Sequence, residues 1–121
     1  MTAGLRERAA RPVFTLLLGI SLAMFLTPGE DVPQGGPNDK VVHALIFVAL
    51  AVAGRWAGVP WRALGLGLAA YAGASEVLQA VLPIRRDGNV PDLLADLAGI
   101  VLGLGLTRLA VRLGALLRQR S

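Results

Sequence analysis

Four apolar runs separated by proline and glycine constrain this chain more than any other feature. They cover residues 12–26, 41–54, 63–82 and 93–110. Polar interruptions are few: Thr15 and Ser21 in the first, His43 near the start of the second, Ser75, Glu76 and Gln79 near the end of the third. Asp96 and Arg108 sit near the two ends of the fourth. A helix needs about 20 residues at 1.5 Å rise to cross a bilayer. The third and fourth runs meet that length. The first and second reach it by taking in their flanks, where arginine stems can snorkel to the interface.

The breaks carry turn chemistry. Residues 27–38 hold three prolines and three glycines, which disfavours a continuous helix. Gly58-Val59-Pro60 divides the second run from the third, and Pro83 and Pro91 bracket the last link. Pro12 is placed as a first-turn proline. The spacing predicts a single all-α domain over residues 1–121, an integral membrane four-helix bundle with helices over 9–27, 41–59, 61–82 and 92–113. A soluble four-helix bundle is the poorer alternative. Composition decides between them. The chain has 121 residues, 55% hydrophobic and only 17% charged, and so short a domain cannot hide that much apolar side chain from water. With no cysteine there is no disulfide frame, zinc-thiolate site or thiol nucleophile.

The amino terminus also carries the pattern of a signal peptide: Arg6, Arg8 and Arg11, then an apolar stretch, then Ser21-Leu22-Ala23. The apolar run continues through Met24, Phe25 and Leu26, so the expectation is an uncleaved first helix.

A sequence pI near 11.1 suggests nucleic acid at first sight. The charges are distributed otherwise. Arg6, Arg8, Arg11, Arg55, Arg62, Arg108, Arg112, Arg118 and Arg120, with Glu7, fall on one side of the predicted spans, a sum of +8. Lys40, Arg85 and Arg86 fall on the other with Glu30, Asp31, Asp39, Glu76, Asp87, Asp92 and Asp96, a sum of −4. Lys and Arg in short loops stay inside, so both termini are expected in the cytoplasm and no nucleic acid is expected as partner. Trp56 and Trp61 flank the inner loop and read as interface anchors.

The ionisable residues of the spans converge. Asp39 and His43 are i,i+4 at the outer start of the second helix. Glu76 and Gln79 are i,i+3 at the outer end of the third, and Asp92 and Asp96 are i,i+4 at the outer start of the fourth. Each pair shares a helix face. The same faces continue inward through small residues: Gly65, Ala69 and Ala72 in the third helix, Gly99 and Gly103 in the fourth. The last two form GxxxG, which lets helix backbones approach. A charged carboxylate in hydrocarbon costs at least ~2.5–3.5 kcal/mol. Glu76 and Asp96 are therefore expected to pair with Lys40, Arg85, Arg86 or His43, or to carry a proton. Gln79 can serve as a plain interhelical hydrogen-bonding group. The expectation is a polar pocket in the outer half.

Asp39-Lys40-x-x-His43, Glu76-x-x-Gln79 with Pro83-x-Arg85, and Asp92-x-x-x-Asp96-x-x-Gly99-x-x-x-Gly103 resemble the VanZ-like family over residues 39–103. That family usually has Asn where Asp96 stands. The resemblance implies a small four-helix protein of the bacterial cytoplasmic membrane. It also implies a link to low-level resistance to teicoplanin, a glycopeptide acting on the cell envelope.

Two kinds of function follow. In the first, Asp39, Lys40, His43, Glu76, Gln79, Arg85, Asp92 and Asp96 bind the polar headgroup of a phospholipid or lipid-linked envelope precursor, with Lys40 and Arg85 on phosphate. In the second, the cluster is catalytic on a lipid phosphate or acyl group, with His43 as acid or base and Glu76 or Asp92 as its orienting carboxylate. The first is favoured, because the chain has one histidine and neither a phosphate-cradling glycine loop nor a nucleophile elbow. A metal variant, with Asp39, His43, Glu76, Asp92 and Asp96 as oxygen-rich ligands, is the weaker alternative; their spacing matches no recognised ligand signature, so no metal and no cofactor are expected. Proton-coupled transport also fits buried carboxylates. Four helices leave little room for alternating access unless the chain forms a homo-oligomer.

Overall fold

The computed structural model describes residues 3–28, 36–84 and 90–120. Among them all regular structure is helical: α1 (Ala3–Leu26), α2 (Gly36–Trp56), α3 (Trp61–Val81) and α4 (Val90–Arg120). Glu30, Asp31, Arg85, Arg86 and Asp87 lie outside the described residues. Helices α1, α3 and α4 are each long and apolar enough to cross a membrane. Helix α2, with Asp39 in its first turn and Arg55 in its last, lies outside that set.

Helices α1, α2 and α4 start earlier than the sequence expectation, while α3 starts at Trp61 as expected. Helix α1 begins at Ala3, so Pro12 lies inside it rather than in its first turn. The segment from Ala3 to Arg11 is rich in Ala, Arg and Glu, which favour helix. The proline side chain is exposed, where its missing N–H costs least. The first-turn prolines are instead Pro37 and Pro91, each the second residue of its helix, in α2 and α4. There a proline interrupts no hydrogen bond, so α2 takes in residues 36–40 from what reads as a turn. Helix α4 runs on to Arg120, seven residues past the predicted 113.

Helix α2 touches all three other helices. Its chief partner is α4, and the two run parallel in register: Lys40 meets Asp92, His43 meets Asp96, Ala44 meets Gly99, and Val48 and Ala51 meet Gly103. Gly99 and Gly103 make this possible. A Cβ on Gly99 would run into the Ala44 carbonyl, and one on Gly103 would lie 2.6 Å from Ala51 Cβ. The GxxxG face therefore packs on small residues of α2, as the sequence suggests. The turn between α2 and α3 uses Gly58 at φ +91°, a left-handed conformation open to glycine. Arg55 Nη1 donates to the Val59 carbonyl at 2.7 Å across that turn.

The radial distribution of polarity inverts that of a soluble bundle. Leu66 is 76% exposed and Val101 70%, and α1 turns Val13, Leu16 and Ile20 outward. Ser21, His43, Ser75, Glu76, Gln79, Asp92 and Asp96 are all buried. An apolar core of Phe25, Phe47, Leu50, Leu64, Leu68, Ala72 and Ile100 lies alongside them.

Candidate functional site

The polar cluster is built on the α2–α4 register. Both helices begin at the same end of the bundle, each with an aspartate in its first turn. The positive ends of their dipoles favour carboxylates there. One turn further in, His43 and Asp96 face each other.

His43 is the hub. Its Nδ1 lies 2.8 Å from Asp96 Oδ1, a buried hydrogen bond. Glu76 Oε1, from α3, is 3.9 Å from the same nitrogen. On the far side of the ring, Nε2 is 3.9 Å from both Asp39 Oδ1 and Asp92 Oδ2. Lys40 Nζ reaches Asp92 Oδ1 at 3.4 Å. Burial is nearly complete at the floor: Asp96 is 0% exposed and His43 2%. The Lys40 and Asp39 side chains, at 37% and 15%, form the mouth. Among the described residues the group is a packed cluster, with Lys40 and Asp39 at its mouth.

Three helices bring Asp39, Lys40, His43, Glu76, Asp92 and Asp96 together, as their shared faces suggest. Two expectations are modified. The carboxylate at hydrogen-bond distance from His43 is Asp96, whereas Glu76 and Asp92, the sequence candidates for orienting it, stand at 3.9 Å. Lys40 pairs with Asp92 rather than with Glu76 or Asp96. Gln79 takes the interhelical role: its Nε2 donates to the Phe25 carbonyl at 3.0 Å. That carbonyl is in the last turn of α1, where intrahelical donors run out. Asp96 Oδ2 and Gln79 Oε1 are buried without a hydrogen-bond partner among the described residues. Arg85 lies outside the described residues.

Sequence reasoning missed the wall contributed by α1 and the middle of α3. Phe25 stacks on the His43 ring, with centroids 5.1 Å apart and planes 19° apart. Phe47 and Tyr71 extend the aromatic floor. The Tyr71 and Ser21 hydroxyls share a hydrogen bond of 2.6 Å between α1 and α3. Ser21 and Tyr71 were legible as polar groups inside apolar runs. Phe25 was not, because nothing in an apolar run marks the one ring that meets an imidazole.

No protein-family model matches this chain, and neither does any curated protein or solved structure compared with it.

Two donor sets around His43 have the composition and closeness of metal ligands. Asp39, His43 and Asp92 form one, and His43, Glu76 and Asp96 the other, with the donor atoms of each set within 4.8 Å of one another. Chemically, the His43–Asp96 pair can also hold one imidazole tautomer and orientation, with Nε2 turned to the mouth. A cavity of about 750 Å³ is elsewhere. It lies at the arginine-rich end, lined by Arg6, Glu7, Arg55, Trp56, Arg108 and Arg112 among others.

Proposed function

We propose that this chain is a multi-pass protein of the bacterial cytoplasmic membrane whose His43 cluster engages the polar headgroup of an envelope lipid. All four helices cross, α2 with the help of its polar flanks. Both termini lie in the cytoplasm, and the cluster lies at the level of the outer leaflet. The observation that carries this reading is the inverted distribution of polarity. Ionisable side chains from α2, α3 and α4 are gathered and buried around His43, while apolar side chains cover the outside. Hydrocarbon, unlike water, favours that arrangement, and ionisable groups held inside it generally have a role.

Lys40 is the accessible cation of the rim and takes the lipid phosphate, together with Arg85 from the segment that joins α3 to α4. Asp39, beside it at the mouth, accepts from headgroup hydroxyl or amine groups. The buried floor of His43, Glu76, Asp92 and Asp96 keeps the rim in place. The VanZ-like spacing over residues 39–103 is consistent with this assignment and associates it with envelope glycopeptide (teicoplanin) resistance.

The test is lipid retention. Protein purified in mild detergent is examined by native mass spectrometry for bound phospholipid or lipid-linked precursor. The Lys40→Ala, Arg85→Ala double variant is expected to lose that lipid while still eluting as a folded species. Unchanged lipid occupancy in the double variant overturns the headgroup reading.

One observation favours a second reading, an enzyme acting on a lipid phosphate or acyl group. The 2.8 Å His43–Asp96 contact is the kind of histidine–carboxylate pair that orients an imidazole for acid–base work. Full biological activity in a His43→Ala variant rules that reading out.

A further inference from the structure

The two nitrogens of His43 are in different situations. Nδ1 is within hydrogen-bond reach of Asp96. Nε2 faces two carboxylates, Asp39 and Asp92, and is 3.9 Å from each, beyond hydrogen-bond reach of either. When Nδ1–H donates to Asp96, Nε2 meets the two carboxylates with either a second proton or a lone pair, and in the lone-pair state a cation between the three atoms is what holds them together.

We propose that His43 Nε2 and the carboxylates of Asp39 and Asp92 bind a divalent transition cation, with Asp96 holding His43 from behind. The carboxylate–histidine–metal order is the usual one for a ligating imidazole: the nitrogen away from the metal donates to a carboxylate, which sets tautomer and ring orientation. Distances are suitable. Metal–nitrogen and metal–oxygen bonds of about 2.0–2.2 Å place donors on a tetrahedral centre about 3.4 Å apart. Closing the two nitrogen–oxygen distances from 3.9 Å needs roughly half an ångström each, and the Asp39 and Asp92 oxygens, within 4.8 Å of each other, must close as well, a rotation of two aspartate side chains.

The alternative set on Nδ1, with Glu76 and Asp96, is less suited. Its shortest contact is already a hydrogen bond, and all three residues are buried. The Nε2 set opens toward the mouth through Asp39, which leaves a coordination position for an outside ligand. One imidazole with two carboxylates selects Zn²⁺ or Mn²⁺ over Ca²⁺ or Mg²⁺, which prefer all-oxygen shells. A phosphate oxygen could occupy the open position, a corollary that rests on the headgroup reading; the cation site itself does not.

The experiment uses the full chain in detergent, stripped with chelator and titrated with Zn²⁺ or Mn²⁺ alone, without added lipid. Bound metal is counted by mass spectrometry after desalting, and Co²⁺ substitution supplies a visible spectrum. Wild type is expected to hold a single equivalent, displaced by neither Mg²⁺ nor Ca²⁺ at equal concentration. His43→Gln, Asp39→Asn and Asp92→Asn are expected to abolish stoichiometric binding. Asp96→Asn should weaken it about 10–100-fold. Glu76→Gln, and Glu7→Gln at the opposite end, should retain it. Because a variant can misfold, the wild-type melting temperature is measured with Zn²⁺ and with chelator, and a rise with Zn²⁺ is expected. The proposal is overturned if wild type binds no metal and its melting is unmoved, if His43→Gln binds as well as wild type, or if Glu76→Gln abolishes binding while Asp39→Asn does not. Metal binding without lipid retention leaves the site standing and defeats only the headgroup reading; lipid retention without metal binding does the reverse.

Discussion

His43 Nδ1 meets Asp96 Oδ1 at 2.8 Å between α2 and α4, one turn before the level at which a Cβ on Gly99 would run into the Ala44 carbonyl. The two contacts depend on each other. The His43 and Asp96 side chains together span the ordinary spacing of two packed helices, and the small residues beneath them hold α2 and α4 at close approach on the same face. The glycines beneath permit that approach, so the buried polar pair and the small-residue face form one structural unit.

Glycine substitutions on α4 should therefore have opposite signs. Gly99→Ala places a Cβ against the Ala44 backbone, which cannot rotate away, and should lower stability by about 1–3 kcal/mol. Gly105→Ala meets nothing within 4 Å and should be neutral or stabilise by up to ~1 kcal/mol through helix propensity. Thermal unfolding of both variants in the same detergent is the comparison. Equal effects would mean that α2 and α4 are not in close contact at Gly99.

The Asp96–His43 bond predicts a difference between two replacements of one side chain. Asp96→Ala leaves His43 Nδ1 buried without its partner and should cost about 1–3 kcal/mol. Asp96→Asn retains an oxygen able to accept from the ring and should cost clearly less. Denaturant midpoints that rank the two variants the other way would contradict the assigned contact.

Gln79 ties α3 to the last turn of α1. Gln79→Leu should cost about 0.5–1.5 kcal/mol, the usual net worth of one such bond. The loss should be local. Hydrogen exchange is expected to speed up in the final turn of α1 and to stay unchanged around Gly103, and uniform protection in the variant would show that the tie contributes nothing.

Topology can be read directly, because the natural chain has no cysteine. Asn38→Cys, exposed at the start of α2, should react with an impermeant maleimide added to intact cells. Gln119→Cys, exposed at the end of α4, should react only after permeabilisation. The converse labelling pattern would reverse the orientation drawn from the arginines.

Much of the fold was legible because it depends on local properties. Run length, the prolines and glycines between runs, and helical periodicity determine that there are four apolar helices. They also determine that Asp39 with His43, Glu76 with Gln79, and Asp92 with Asp96 lie on shared faces at one end. The placement of Pro12 was misread because its own neighbours, Arg6 to Ala10, extend the helix backward.

What the tertiary structure decided is how those faces meet. It put α2 in contact with all the others, and set α2 and α4 parallel in a register chosen by Gly99 and Gly103. That register selects Asp96 rather than Glu76 or Asp92 as the partner of His43, gives Lys40 to Asp92, and turns Nε2 toward two carboxylates. It also brings Phe25 against the imidazole and Gln79 to the end of α1. A sequence states which residues share a helix face, since that depends on spacing along one chain segment. Which face opposes which, and at what axial offset, depends on close packing between segments some fifty residues apart, and no single segment carries that information.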